Sequence, residues 1–376
     1  SHYVKDESAL DVEAISRGMS CYLVDRVIPM LPERLSNDLC SLRPDVDRLT
    51  KSVFAELSAD GDILSSETAN TVIHSSMRLT YQQTQSFLDG ETANGADEVT
   101  EDVGDMLRTL EALTDILITR RKNRGALNFE NPEARVVLDE NGHAVDIVER
   151  KRLMAHRMVE EAMLLANTVT AKKLADAGAP FLYRVHEPPD TERIAAFGEI
   201  ARSLGFKFNV KSPDDREALQ SFLASLKGKA SERTLNMMLL RTMKRAMYSP
   251  ENKGHYGLAL PVYSHFTSPI RRYPDLLVHR QMDAWLHDPD SRGEKKKHTY
   301  FELLGDTITE REIIADSAER DSVKMKVAEY MQDHVGEEFD GTVSGVIPIG
   351  FFVELDGHFV EGLVHVSTLH NDYYDM

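Results

Sequence analysis

Two prolines, Pro269 and Pro274, stand close together in the segment FTSPIRRYPD and limit how this part of the chain can fold. Proline fixes its own φ angle and has no backbone N–H to donate, so neither a continuous helix nor a central strand can run through the segment. We therefore predict a rigid turn, in which the hydroxyl of Thr267 or Ser268 caps the backbone.

This turn carries two adjacent arginines, Arg271 and Arg272, followed by Tyr273. A guanidinium can donate two parallel hydrogen bonds to phosphate oxygens, so a rigid turn that holds arginines suits a phosphate. The spacing alone fits a helix N-terminus with surface arginines slightly better. Both interpretations stay open on the pattern of residues.

The overall charge is strongly acidic, with 44 Lys and Arg against 62 Asp and Glu and a formal net charge of −18. Taken alone, this argues against nucleic-acid binding, which needs local positive charge. A narrow channel can nevertheless be basic inside an acidic surface.

The two cysteines, Cys21 and Cys40, are expected to be reduced thiols of a cytoplasmic protein, and no apolar run reaches membrane-spanning length.

Hydrophobic periodicity predicts a mixture of helices and hairpins, which is an α+β fold. Residues 51–82 alternate as in a hairpin that turns at Asp60-Gly61, and residues 126–147 do so around Glu140-Asn141-Gly142. We expect residues 1–50 to be irregular, because three prolines interrupt them, and the opening SHYV to be the end of a strand. Helical spacing predicts helices over 100–122, 154–177, 191–204, 216–226, 231–247, 275–286 and 300–334.

The last segment differs in character, because short apolar runs are punctuated by glycine as in a small β barrel. We place a domain boundary near 334–337, which gives one domain over 1–335 and the start of a second over 336–376. The final helix before the boundary carries many charges that we interpret mostly as a solvated face, among them Glu312, Asp316 and Glu319.

Five motifs of the chain are long and specific, namely HFTSPIRRYPDLLVHR (His265–Arg280), SRGMSCYLVDRVIPMLPERLSNDLCSL (Ser16–Leu42), MVEEAMLLAN (Met158–Asn167), ENKGHYGLAL (Glu251–Leu260) and AERD (Ala318–Asp321). They resemble the ribonuclease II/ribonuclease R family, with its RNB catalytic domain, and fit the bacterial ribonuclease R branch best. The C-terminal segment resembles an S1 RNA-binding domain, which is an OB-fold. The implied architecture is a mixed RNB domain with many helices, lacking its N-terminal metal-binding part, followed by a partial all-β S1 barrel.

The resemblance implies a processive 3′-to-5′ exoribonuclease that hydrolyses single-stranded RNA with a free 3′ end to nucleoside 5′-monophosphates. Arg271 would lie beside the scissile phosphate and stabilise charge in the transition state. Tyr22 would lie near the same phosphate and clamp the 3′ nucleotide. A cytoplasmic monomer that does not bind membranes is expected.

The same resemblance implies an RNA-binding set in addition to these two catalytic residues. Phe129 would stack on bases, and Tyr81 would contact a sugar, where the 2′-hydroxyl distinguishes RNA from DNA. Glu160 and Glu319 would contact the terminal nucleotide. Phe352 and His365 would lie on the RNA face of the S1 domain. Without the resemblance, the aromatic residues would be interpreted as core and Glu160 as part of a solvated helix face.

The family's chemistry uses Mg²⁺ ions held by a dense cluster of aspartates. The chain has no such run, so we expect no metal ligands within it and place them upstream of residue 1. One alternative is a non-catalytic RNA-binding relative that has lost its metal site, and Arg271 and Tyr22 argue against it. Another is an unrelated helical enzyme with a fused OB module, which would require the motif matches to be accidental.

Overall fold

The structure is a computed structural model that describes residues 1–129, 133–229, 231–288, 298–356 and 360–369. Helices dominate its first part, and a small antiparallel sheet forms its last part. The helices are α1 (Ala9–Arg17), α2 (Tyr81–Leu88), α3 (Glu101–Asn123), α4 (Met154–Asp176), α5 (Thr191–Ser203), α6 (Arg216–Leu226), α7 (Glu232–Thr242), α8 (Tyr273–His287) and α9 (His298–Gln332).

Strands occur mainly as separate two-stranded ribbons. The strands are β1 (Cys21–Tyr22), β2 (Val27–Ile28), β3 (Asp47–Leu57), β4 (Ile63–His74), β5 (Glu133–Leu138), β6 (Ala144–Arg150), β7 (Tyr183–Val185), β8 (Met247–Ser249), β9 (Gly341–Ile347), β10 (Gly350–Leu355) and β11 (Val360–His365). The pairs β1–β2, β3–β4, β5–β6 and β7–β8 are each antiparallel, and the last three strands form one sheet in the order β11-β10-β9.

Both predicted hairpins and every predicted helix are present, with differences at some ends. The helix expected over 231–247 ends at Thr242. The SHYV segment is not a strand. The expectation that residues 1–50 are irregular was wrong for α1, because all three prolines of that region come after the helix. Ser8 caps α1 by accepting a hydrogen bond from the Asp11 amide.

Three groups of buried side chains hold the helices together. One joins α1, α8 and α9 around Tyr273, Leu276 and Phe301. A second fills the space between α5, α6 and α7, and a third joins α4 to α8. An ion pair between Arg233 of α7 and Glu354 of β10 connects the helical part to the C-terminal sheet.

One face of α9 makes contacts at positions that are seven residues, or a multiple of seven, apart. Gly305 lies so close to the carbonyl of Tyr248 that an added Cβ would come within 2.7 Å of it. Glu312 forms a two-pronged ion pair with Arg184, with distances of 2.6 and 2.9 Å. Lys326 donates to the carbonyl of Gly142 at 2.5 Å.

The interpretation of this charged helix as a mostly solvated face was therefore wrong in part. Glu312 is largely buried against Arg184. Asp316 pairs with Arg245 of the loop before β8. Both partners come from elements far away along the chain, so the charge pattern of the helix alone could not indicate them.

Stability should fall as the solution is acidified below about pH 6.5, because loss of hydration lowers the pKa of both His255 and His279 to about 3. The unfolded chain binds protons at these rings near their usual value of 6.5, whereas the folded chain does not. The free energy of unfolding should drop by up to about 1.4 kcal/mol per pH unit for each ring in this window.

Urea unfolding of the wild type and of His279→Gln at about pH 7.5 and about pH 5.5 tests this expectation. The variant should lose less stability than the wild type between the two conditions. Equal losses would show that His279 does not carry the effect.

Candidate active site

The segment that leaves α1 runs antiparallel along the proline-bracketed turn. Gly18, with a φ of 70°, ends the helix and lets the chain reverse. Its carbonyl accepts from the Tyr273 amide at 2.9 Å, and the Ser20 amide donates to the carbonyl of Arg271 at 3.0 Å. Since Tyr22 follows two residues later, this pairing brings the Tyr22 segment beside the Arg271 segment.

The two adjacent arginines point in different directions. Arg272 donates from Nε and Nη2 to the two carboxylate oxygens of Asp275, at 2.9 and 2.8 Å. Asp275 is completely buried. Burial opposes the charged form of Arg272, but the carboxylate outweighs this and raises the pKa of Arg272. Arg272 therefore neutralises a buried carboxylate and is not available to a phosphate.

Arg271 is half-buried, and its guanidinium makes no hydrogen bond or ion pair to any residue in the described ranges. Its backbone is held on both sides, because its amide donates to the Ser268 carbonyl at 3.2 Å and its own carbonyl accepts from Ser20. Neither hydroxyl caps the turn as predicted: the Thr267 hydroxyl has no partner among the described residues, and α8 has no side-chain cap. The turn therefore presents one uncommitted positive charge.

Tyr22 and Glu319 lie together, although almost the whole chain separates them. The backbone amide of Tyr22 donates to Oε1 of Glu319 on α9 at 2.7 Å. The Tyr22 side chain is 46% exposed, so its ring is open to a ligand rather than part of the core. The structure thus brings Tyr22, Glu319 and the Arg271 backbone to one region.

Glu160 belongs to a cluster of charges on α4. Its Oε1 accepts from Arg121 of α3 at 2.9 Å, and its Oε2 accepts from Arg152. Burial opposes its charged form, but the two arginines outweigh burial and lower the pKa of Glu160. Neighbouring Glu161 is 3.0 Å from the same Arg121, yet burial raises its pKa. Glu160 is therefore the carboxylate of the pair that stays ionised more readily.

Tyr81 stacks on His156, one turn before Glu160 on α4. The ring centroids are 4.1 Å apart and the planes are inclined by 24°. Tyr81 is the first residue of α2, which Thr80 caps through a reciprocal pair of hydrogen bonds with Gln83. Because residues four apart lie on one helix face, α4 places Tyr81 and Glu160 side by side.

Phe129 packs at the edge of the buried group between α5, α6 and α7. Among the described contacts, none connects it to Tyr22 or to Arg271.

In the C-terminal sheet, Phe352 pairs with Leu363 and Gly350 pairs with His365. Residues two apart on a strand point to the same face, so Phe352 and His365 share one face of the sheet.

The described residues do not form a metal site. Within these ranges, no group of three or more His, Cys, Asp or Glu side chains could hold a metal ion. Two of the carboxylates near the turn are already engaged: Asp275 binds Arg272, and Asp11 binds Arg280. The residues described here therefore do not fit a Mg²⁺ site.

Sequence reasoning missed the partners that hold the predicted residues. Arg121 and Arg152 fix the carboxylate of Glu160, and His156 fixes the ring of Tyr81. The position of His156, four residues before Glu160 on one predicted helix, is the one signal in the sequence that pointed to a shared site.

No helix of the described part of the chain is long and apolar enough to cross a membrane.

Comparison with known proteins identifies two domain families along the chain. The RNB domain model matches residues 1–288, and the S1 RNA binding domain model matches residues 332–376. Ribonuclease R 1 of Lactococcus lactis is 41% identical over 377 residues, covering 100% of this chain and 46% of its own length. Ribonuclease R of Thermotoga maritima is 42% identical over 378 residues, covering 100% and 53%. The chain thus spans about half the length of the curated relatives it matches.

Solved structures agree with this relationship. The apo form of Mycoplasma genitalium RNase R matches with a TM-score of 0.91 at 28% identity, over 99% of this chain and 58% of that chain. Its complex with ribose methylated single-stranded RNA matches with a TM-score of 0.90 at 29% identity, over the same shares. The mixed α+β fold is thereby confirmed, and the chain belongs to the RNB-domain family that includes ribonuclease R, with an S1 domain after the RNB domain.

Proposed function

We propose that the protein containing this chain is a processive 3′-to-5′ exoribonuclease. It hydrolyses single-stranded RNA with a free 3′ end to nucleoside 5′-monophosphates. The observation that carries the proposal is the convergence of Tyr22, Arg271 and Glu319, with the Arg271 guanidinium uncommitted among the described residues. The RNA-bound relative of similar fold supports the substrate class.

In the proposed reaction, Arg271 binds the scissile phosphate and stabilises the negative charge that grows on its oxygens as water attacks. A guanidinium suits this because it donates two parallel hydrogen bonds and stays charged. Its backbone is fixed before RNA binds, so little reorganisation is needed. Tyr22, with its exposed ring, clamps the 3′ nucleotide beside it.

The remaining site residues hold the last nucleotides in place. Glu160 is kept ionised by its arginine neighbours and can accept from ribose hydroxyls, as can the second oxygen of Glu319. Phe129 offers a face on which bases stack, which is independent of sequence. We further propose that residues 336–376 begin an S1 domain after an RNB domain over 1–335, and that Phe352 and His365 form its RNA face.

Nucleases of this family generally depend on metal ions, and we propose Mg²⁺ here. Among the described residues, no group of three or more His, Cys, Asp or Glu side chains could hold such an ion, so the roles above concern only groups that this chain supplies. We also propose that the protein is cytoplasmic, because Cys21 and Cys40 are both free thiols, as is usual in a reducing compartment. We further propose that it is a monomer.

The test uses the full-length protein, a single-stranded RNA with a free 3′ end, and Mg²⁺. Release of nucleoside 5′-monophosphates that EDTA abolishes is the expected result. Tight RNA binding without any turnover would instead support a non-catalytic relative. An RNA with a blocked 3′ end is the control, and its degradation from the other end would contradict the direction.

Tyr81 is expected to determine the preference for RNA over DNA. In Tyr81→Phe the ring keeps its stack on His156, but the hydroxyl that would contact the sugar is lost. The ratio of kcat/KM for RNA to kcat/KM for DNA should fall by about 3- to 10-fold, which is the effect expected from the loss of one hydrogen bond. Tyr81→Ala should lower this ratio at least as far, and an unchanged ratio in both variants would remove Tyr81 from the site.

A further inference from the structure

Asn167 is a buried polar residue of α4 to which the proposed function assigns no role. It is 2% exposed and lies two turns after Glu160 on the same helix. Its Oδ1 accepts from the amides of Phe266 and Thr267, at 2.9 and 3.2 Å. Its Nδ2 donates to the hydroxyl of Tyr263 at 3.0 Å. One side chain thus satisfies three polar groups, two of them buried, in the stretch that leads to Arg271.

The next amide of this stretch is held by a second helix. The Ser268 amide donates to Oδ1 of Asp275 on α8 at 2.7 Å. Three consecutive amides, at positions 266 to 268, therefore end on two buried side chains from α4 and α8. The carbonyl of Ser268 then accepts from the amides of Arg271 and Arg272, at 3.2 and 3.0 Å. The turn that carries Arg271 is thereby fixed by side chains rather than by regular secondary structure.

We infer that Asn167 is a positioning residue for Arg271. Its side-chain amide fixes the turn at residues 266–267, so that the guanidinium already lies where the scissile phosphate will bind. The inference rests on the proposed function, because it assigns Asn167 an effect on the step in which Arg271 acts. Asn167 also joins the Glu160 and Arg271 parts of the site, since one helix carries both Glu160 and Asn167.

An amide is the side-chain group this position needs. The backbone amides of Phe266 and Thr267 require an acceptor, which the Asn167 Oδ1 supplies. The hydroxyl of Tyr263 accepts a hydrogen bond, which the Asn167 Nδ2 donates. An alanine would leave two amides unpaired in the interior, and the turn would shift to satisfy them. Because a displacement of about 1 Å can reduce a rate by about 100-fold, the shift should appear in turnover.

The experiment uses the full-length protein and a fluorescently labelled oligoadenylate with a free 3′ end. Asn167→Ala should lower kcat by at least about 10-fold and change KM by less than about 2-fold, because the group it displaces acts in the transition state. In an Arg271→Ala background the same change should have little further effect on kcat. Asn236→Ala, a buried asparagine of α7 whose Oδ1 has no partner among the described residues, is the matched control and should leave kcat unchanged.

Amide hydrogen exchange over residues 265–272 gives a readout that does not need activity. Asn167→Ala should accelerate exchange there, and Asn236→Ala should not. If the alanine variant does not fold, Tyr263→Phe removes only the hydroxyl that orients the Asn167 amide, and it should give a smaller loss of kcat that again depends on Arg271.

Two results would overturn the inference. One is an equal fall in kcat with and without Arg271, and the other is unchanged exchange over residues 265–272. If the wild type releases no nucleoside monophosphates, the proposed function fails, whereas hydrogen exchange still decides whether Asn167 holds the turn.

Discussion

Replacing Arg271 with alanine is expected to lower the turnover of RNA by about 100-fold or more, with only a modest loss of RNA affinity. The guanidinium is held at the end of a fixed turn and has no partner among the described residues. Its interaction with the phosphate strengthens as negative charge grows, so the loss should appear mainly in kcat. Single-turnover kinetics and equilibrium binding on the same RNA measure the two effects separately.

Arg271→Lys is the matched variant. It keeps the charge but loses the two parallel donors, so affinity should be near that of the wild type while turnover stays well below it. Equal losses of affinity and turnover in Arg271→Ala would contradict a role in the transition state.

A second large effect is expected from Arg280→Ala, this time on stability. Arg280 donates to Oδ1 of Asp11 at 2.6 Å and to the carbonyl of Val4 at 2.9 Å. Asp11 is 1% exposed, and it also accepts from the hydroxyl of Tyr273 at 2.8 Å and from the amide of Glu7 at 2.9 Å. Removal of Arg280 would leave a buried carboxylate without its positive charge, which costs about 3–5 kcal/mol.

Urea unfolding measures the loss, and Arg17→Ala is the control. Arg17 forms a solvent-exposed pair with Glu13 on the same helix as Asp11, so its removal should cost less than about 1 kcal/mol. Similar losses in the two variants would mean that the Asp11–Arg280 pair adds little beyond a surface contact.

Much of the fold could be predicted because its signals are local. The helix over Arg216–Leu226 agrees with its predicted limits, and the hairpin turns at Gly61, whose φ of 80° suits a glycine. Apolar spacing within one turn of helix, or alternation along one strand, is enough for such elements. The α1 helix was not predicted, because the three prolines that indicated an irregular region all lie after its last residue.

The internal arrangement of the site depends on pairings across the chain, which one sequence does not show. Arg271 and Arg272 are identical residue types in adjacent positions, and the buried carboxylate of Asp275 decides which of them turns inward. Glu319 could be named from the family resemblance, but its bond to the Tyr22 amide spans 297 residues. The roles of Tyr22, Tyr81, Phe129 and the other site residues therefore remain predictions.

The contacts of α9 at Gly305, Glu312, Glu319 and Lys326 have a consequence for how this protein can evolve. At a rise of about 1.5 Å per residue, the helix spaces these four contacts about 10.5 Å apart along its axis. Substitutions on its outer face do not change this spacing. Insertion or deletion of one residue rotates everything beyond it by about 100° and removes Glu319 or Lys326 from its partner. Selection should therefore preserve the length of this stretch more strictly than its composition.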